Sequence, residues 1–455
     1  MEEKLKKQHI FFRSQQTKSI VFRKKALLAL QNEIIAQEDA ICDAIYVDFK
    51  KPKFETIIAE TQFVLAELSL AIKKLNSWSR PKKVRDTWVN WPSSNYIYNE
   101  PYGTVLIIAP WNYPFQLAIA PLIGAIAAGN TAVVKPSEIT PNTSKIIATI
   151  ITKVFTPEHA IVFEGGVEVS QKLLKEKWDY IFFTGSSRVG QIVYESAAKH
   201  LTPVTLELGG KNPCIVDDTA HIALAAKRIA WGKFLNAGQT CIATDYILVH
   251  KNVKQKLITA LKKSITGFYG DELVASKYYA RMVSEAHYNN LKSMLVDEEI
   301  LFGGNFDDSD RFIAPTLINE PNMESKLMEG EIFGPLLPII AYENEQDIER
   351  YISKYGKPLA TYVFSTNKTF QEKILATYSF GGGAINDTVS HIANKNLPFG
   401  GVGSSGIGTY HGKTSFDTFS HQKVILKKGN WLDIPLRYPP YTLSLLLAKK
   451  IKKLF

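Results

Sequence analysis

Thr104-Val105-Leu106-Ile107-Ile108-Ala109 reads as a strand, 117–128 as a helix, Thr131-Ala132-Val133-Val134-Lys135 as a strand, and Pro141 with Thr143 opens another helix. The alternation continues with strands at 160–163, 180–183 and 204–207 and helices at 167–177 and 186–200. Short strands with no polar face, separated by single helices, predict a parallel sheet covered on both sides, which is the Rossmann-like arrangement. On the N-terminal side, 4–78 is long and amphipathic, with its clearest break at 48–52, and predicts two or three helices. Residues 81–100 are mixed and aromatic, with Trp88, Trp91, Tyr96 and Tyr98, and predict an extended excursion. Beyond Gly209 a second βα-rich region runs to about Gly400, with strands at 246–249, 338–342 and 360–364.

Composition narrows the class. At ~100 to 200 residues per domain, 455 residues that are 45% hydrophobic and 22% charged predict a soluble protein of two to four domains. There is no low-complexity tract, heptad run or repeat, so disorder, fibres and solenoids are excluded. Cys42, Cys214 and Cys241 are too few and too odd in number for a disulfide framework. No clustered Cys/His spacing suggests a metal, and a reducing cytoplasm is expected. The charged opening lacks the apolar core of a secretory signal, and no run reaches the ~18 apolar residues that span a bilayer. The net charge of +10 sits at the ends: residues 1–25 carry +6 and 421–455 carry +7, leaving −3 for the body. A slightly acidic body argues against nucleic-acid binding.

Several short segments can carry chemistry. Thr184 to Gly190 ends a strand and opens a helix, and free amides at a helix N-terminus suit a pyrophosphate. Its Gly-x4-Gly spacing, through Gly185, Ser186 and Gly190, serves an ordinary strand-to-helix turn equally well. Lys135-Pro136-Ser137-Glu138 lies at the carboxyl end of another strand, where ligands bind in open α/β sheets and where charges can hold ribose hydroxyls. Cys241 follows a polar, glycine-containing loop, Asn236 to Thr240, whereas Cys42 and Cys214 lie in more apolar runs and read as buried thiols. Cys241 is therefore the candidate nucleophile, with Glu207 as a candidate base and a turn-capping carboxylate as the alternative for that glutamate. Asn112, in Pro110-Trp111-Asn112-Tyr113-Pro114, sits in a loop stiffened by two prolines and can present an oxyanion donor or act as a turn asparagine. Glu331-Ile332-Phe333-Gly334-Pro335 adds a carboxylate and a ring.

In this order and spacing the motifs resemble the aldehyde dehydrogenase superfamily, specifically its class 3 branch. The likeness covers nearly the whole chain and is carried most specifically by 100–103, 110–114, Gly129-Asn130, 135–138, 207–211, 238–241, 331–335 and 396–413. The resemblance implies that Cys241 attacks the aldehyde and that Asn112 and the Cys241 amide hold the oxyanion. Glu207 would be the general base. For the cofactor it implies Lys135 and Glu138 at the adenine-side ribose, Ser186 with the Gly185 to Gly190 turn at the pyrophosphate, and Glu331 with Phe333, beside Leu208, on the nicotinamide side. Two positions depart from the class 3 pattern: Thr244 stands in place of a usual proline, and Ser187-Arg188 replaces a pair of small residues.

The implied plan is a cofactor domain from 1–80 and 101–208, a catalytic domain from 209–414, and a bridging β extension from 81–100 and 415–430 that would serve a homodimer. Residues 431–455 form a basic amphipathic tail, read as a helix docked on the protein in preference to a peripheral membrane contact. The implied activity is NAD-dependent oxidation of aldehydes to carboxylic acids, with NADP as the alternative cofactor. A CoA-acylating relative and a catalytically silent binding protein on the same fold are the competing readings.

Overall fold

The computed structural model describes residues 1–87, 90–433, 438–441, 445 and 449. Leu27, Leu30 and Ile34 recur at helical spacing and are fully buried, and this periodicity makes the opening region helical. Its helices are Glu2–Arg13, Ile20–Ala36 and Glu38–Phe49, followed by a run 53–78 with one π-turn at Ile57–Thr61. Two further breaks fall at 14–19 and at Gln37, and neither has a proline or glycine to announce it. Ser14 Oγ donates back to the Phe11 carbonyl at 2.6 Å, and Ser19 caps the next helix. The expected break at 48–52 is present, with Lys50 left-handed at φ 54°.

Strands β1 (Lys82–Val84) and β2 (Ser93–Pro101) pair antiparallel. The alternating region then supplies β3 (Thr104–Ile108), β4 (Thr131–Lys135), β5 (Ala160–Val162), β6 (Tyr180–Thr184) and β7 (Val204–Glu207), parallel in the order β7-β6-β3-β4-β5. Every residue of β3, β4 and β6 is buried, as is the whole helix Gln116–Ala128 that covers one face. Ile108 pairs with Lys135 and Phe183, and Thr184 with Glu207, so the carboxyl ends of these strands share one edge.

The second sheet contains β8 (Pro213–Val216), β9 (Tyr246–His250), β10 (Glu299–Phe302), β13 (Thr316–Asn319), β14 (Leu336–Tyr342), β15 (Ala360–Phe364) and β16 (Gly382–Ile385), after a small β11 (Phe306–Asp307) and β12 (Phe312–Ile313) ribbon splits off. Its order is β10-β13-β14-β9-β8-β15-β16, and all pairs are parallel except β10 with β13. Strand β17 (Gly406–Ile407) returns to the first sheet, antiparallel to β7, and sets Gly406 opposite Glu207. Strand β18 (Ser420–Lys428) pairs with the full length of β2 and completes the three-stranded extension. The architecture is thus the expected α/β class: a Rossmann-like parallel sheet, a second α/β sheet and a small β extension. No helix among the described residues is long and apolar enough to cross a membrane. Trp88 and most of the amphipathic tail lie outside the described residues.

Candidate active site

The N-terminal helices build one wall. Lys51 and Glu60, both fully buried, form an ion pair at 2.7 Å. The other Glu60 oxygen accepts the amides of Phe115 and Gln116 at 2.9 and 3.2 Å, while Lys51 stands 3.8 Å over the Tyr113 ring. A carboxylate on free amides at the start of helix Gln116–Ala128 satisfies donors that the helix cannot, and it fixes the loop carrying Asn112.

The loop leading to Cys241 is the opposite wall. Asn236, Ala237 and Gly238 are all left-handed, with φ of 54°, 52° and 75°. A side chain on Gly238 would begin 2.3 Å from the Gly334 carbonyl, so the glycine answers both its dihedral and a close approach. Gln239 holds the bend, donating to Asn236 O and Arg281 O and accepting from the Val283 amide, at 3.0 to 3.1 Å. Asn112 Nδ2 donates to Gln239 O at 3.1 Å, Asn236 Nδ2 donates to Asn112 O at 2.9 Å, and the Tyr113 hydroxyl meets Thr240 Oγ1 at 2.8 Å. These bonds bring Asn112 to the Cys241 loop across more than a hundred residues of chain, with one amide hydrogen still available. Asn212 Nδ2 secures the far side of the loop through Cys241 O at 2.8 Å and Ala243 O at 3.0 Å.

Two cavities meet here. One, of about 170 Å³, is lined mainly by apolar side chains, among them Ile58, Phe63, Trp231, Leu235, Ile392 and Phe399. The other, of about 280 Å³, is lined by Trp111, Asn112, Gly185, Ser186, Gly209, His287, Glu331 and Phe333. Cys241, Glu207, Leu208, Leu117 and Thr184 line both. Cys241 is half-buried. Burial, then Glu331 and Glu207, push its thiol up, and the Cys241 and Ile242 amides oppose this. Glu207 is 3% exposed with neither oxygen hydrogen-bonded among the described residues, and burial raises it well above the usual carboxylate range. A glutamate so displaced is a stronger base than an exposed one.

The second cavity suits a dinucleotide's nicotinamide half. Gly185 and Gly209 leave backbone bare there, Ser186 caps helix Ser187–Ala198, and the Trp111 and Phe333 rings meet edge-on at 5.2 Å. Glu331 lies so close to Gly209 that a β-carbon on the glycine would stand 2.0 Å from its carboxylate oxygen. Burial, then Asp245, push Glu331 up to about 8. Gly190 lines neither cavity; its missing side chain lets Leu208 approach, since a β-carbon there would lie 2.7 Å from Leu208 Cδ2. Lys135 and Glu138 also lie outside both linings, at the end of β4, where they pair with each other.

Lys51, Glu60 and Asp245 carry no assigned role in the sequence, and Gln239 and Lys211 lie inside recognisable segments without one; Lys211 and Asp245 form a buried pair at 2.6 Å. Lys211 also donates to Leu327 O and Gly330 O, and Asp245 accepts the Ile332 amide at 3.0 Å, so this pair ties the Cys241 loop to the Glu331 loop. The one available signal was charge inside apolar surroundings, four residues after Cys241.

The sequence profile of the aldehyde dehydrogenase family matches residues 6–425. The chain belongs to the aldehyde dehydrogenase family. This aldehyde dehydrogenase is 48% identical to the 4,4'-diaponeurosporen-aldehyde dehydrogenase of Staphylococcus aureus, over 97% of this chain and 96% of that one. It is 43% identical to the dimeric NADP-preferring aldehyde dehydrogenase of Rattus norvegicus, over 94% and 95% of the two chains. A solved substrate-bound Staphylococcus aureus AldH superposes with a TM-score of 0.97 at 47% identity, covering 99% of each chain. The enzyme is an oxidoreductase that oxidises aldehydes with NAD(P) as cofactor.

Proposed function

We propose that this enzyme converts apolar aldehydes to free carboxylic acids at Cys241, with Glu207 as general base and Asn112 as oxyanion donor. The observation that carries the reading is that Cys241 and Glu207 are shared by an apolar cavity and a glycine-bare polar one. An aldehyde whose chain fills the apolar cavity brings its carbonyl to Sγ. The thiol proton passes to Glu207, the new C–S bond forms, and the developing oxyanion is met by Asn112 Nδ2 and the Cys241 amide. Ser186, Leu208, Glu331 and Phe333 would hold NAD(P), which would supply the hydride acceptor needed for a thioester to form on Cys241. Glu207, once the thiol proton has been released to solvent, takes a proton from the water that attacks the thioester. Its buried carboxylate supports hydrolysis over transfer to CoA.

The carboxylate of Glu138, beside Lys135 at the adenine-side ribose, would repel a 2′-phosphate, which supports a preference for NAD. The lone edge of β18, with Val424 77% exposed, supports a homodimer. Three free cysteines support a reducing, cytoplasmic setting. The test is reduced-nicotinamide formation from aldehydes of increasing chain length and benzaldehyde, with NAD and NADP separately. Wild type should turn over with efficiency rising along the apolar series, and Cys241→Ala should be inactive; equal turnover in the two proteins refutes the assignment.

A further inference from the structure

The apolar cavity contains a cluster of polar atoms for which hydrocarbon has no use. Tyr113 and Thr240 satisfy each other. Gln116 Nε2, Thr184 Oγ1, both Glu207 oxygens and the Tyr410 hydroxyl do not: all are buried and none has a hydrogen-bond partner among the described residues. These residues are 4%, 8%, 3% and 0% exposed, and all four line the cavity together with Cys241. They come from four separate places: the start of helix Gln116–Ala128, the end of β6, the end of β7 and the segment after β17.

Leaving a buried polar atom without a partner forfeits its hydration with nothing in return, so four such side chains converging on one cavity call for a shared small partner. The set offers an amide donor, two hydroxyls that donate or accept, and a carboxylate acceptor. That combination matches the two donors and two acceptors of water. The fold also holds the set firmly. Tyr410 and Phe399 exchange backbone hydrogen bonds at 2.8 and 3.0 Å, the Tyr410 ring packs on Phe182 at 5.1 Å, and the Gln116 backbone N–H donates to Glu60. The Gln116 side chain lies beside the Tyr410 hydroxyl.

We propose that Gln116, Thr184 and Tyr410 are positioning residues that seat the hydrolytic water against Glu207 and so commit the acyl group to water. The inference rests on the assignment of Cys241 and Glu207 above. The water oxygen forms the new C–O bond while one of its protons goes to Glu207. The C–S bond breaks with its electron pair returning to Sγ, and the carboxylic acid leaves. No electrons change hands.

The test needs no cofactor. With p-nitrophenyl acetate and the full-length enzyme, the initial burst of p-nitrophenolate reports acylation of Cys241 and the following steady rate reports deacylation. Tyr410→Phe and Gln116→Met should keep the burst within about twofold of wild type and lower deacylation about tenfold, while added hydroxylamine restores turnover by taking the acyl group directly. Melting curves identify a variant that fails to fold, in which case the other one decides. Burst and deacylation falling together, or deacylation unchanged, overturns the water seat. If Cys241→Ala keeps the burst, the nucleophile assignment itself falls; a burst lost in Cys241→Ala beside normal deacylation in Tyr410→Phe removes only the seat.

Discussion

Asn112 and Glu207 illustrate how differently two site residues are prepared. Asn112 is fixed before any substrate arrives, because its amide already donates to Gln239 O and its carbonyl already accepts from Asn236. Preorganised donors of this kind typically contribute ~3 to 4 kcal/mol to the barrier, so Asn112→Ala should cut turnover ~100- to 1000-fold with the melting temperature little changed. Steady-state kinetics beside a thermal melt checks both halves. Glu207 has no hydrogen-bond partner among the described residues, and burial raises its titration. A group that titrates higher in the folded than in the unfolded chain contributes full stability below the unfolded value of ~4.3 and loses it as pH rises toward the folded value. Glu207→Gln, neutral at every pH, should therefore melt above wild type by a margin that widens from about pH 5 upward. Parallel melting curves across pH 5 to 9 test this, and a constant margin would contradict it. The same variant should lose steady-state turnover while retaining a burst of reduced nicotinamide.

The decisive elements were legible, but their junctions were not. Residues 204–207 form a strand as read, and 360–364 match β15, because apolar runs bounded by glycine and proline leave little choice. The Lys51–Glu60 pair shows what periodicity misses. Residues 48–52 read as a helix break, yet the lysine there is fully buried and its partner caps a helix more than fifty residues away. Removing one member of a buried pair leaves an unpaired charge, so Glu60→Gln should destabilise the enzyme by about 3 to 5 kcal/mol in urea unfolding. It should also lower activity, because the loop holding Asn112 loses its anchor.

At the scale of the whole molecule, the site is a seam. One cavity wall comes from strand ends of the first sheet and the other from the loop before β9, and strand β17 crosses from the second region to pair beside Glu207. The two residues of β17, rich in surrounding glycine, give no apolar run to read. An exposed Val424 on the β18 edge belongs to the same scale: if that edge pairs with a second copy, Val424→Glu should halve the mass measured by light scattering, and a wild-type monomer at micromolar concentration would end the dimer proposal.

Local order in the chain was enough to determine the α/β class, the parallel sheets and a candidate list that included Cys241, Glu207 and Asn112, because strand and helix periodicity and short motifs are properties of neighbouring residues. The sequence contained but did not display the shared cavities, the stitching of Asn112 to the Cys241 loop, the Lys211–Asp245 tie and the unpartnered quartet around Glu207. Each of those joins residues tens to hundreds of positions apart, and burial, which decides both their partners and their protonation, exists only once the sheets have packed.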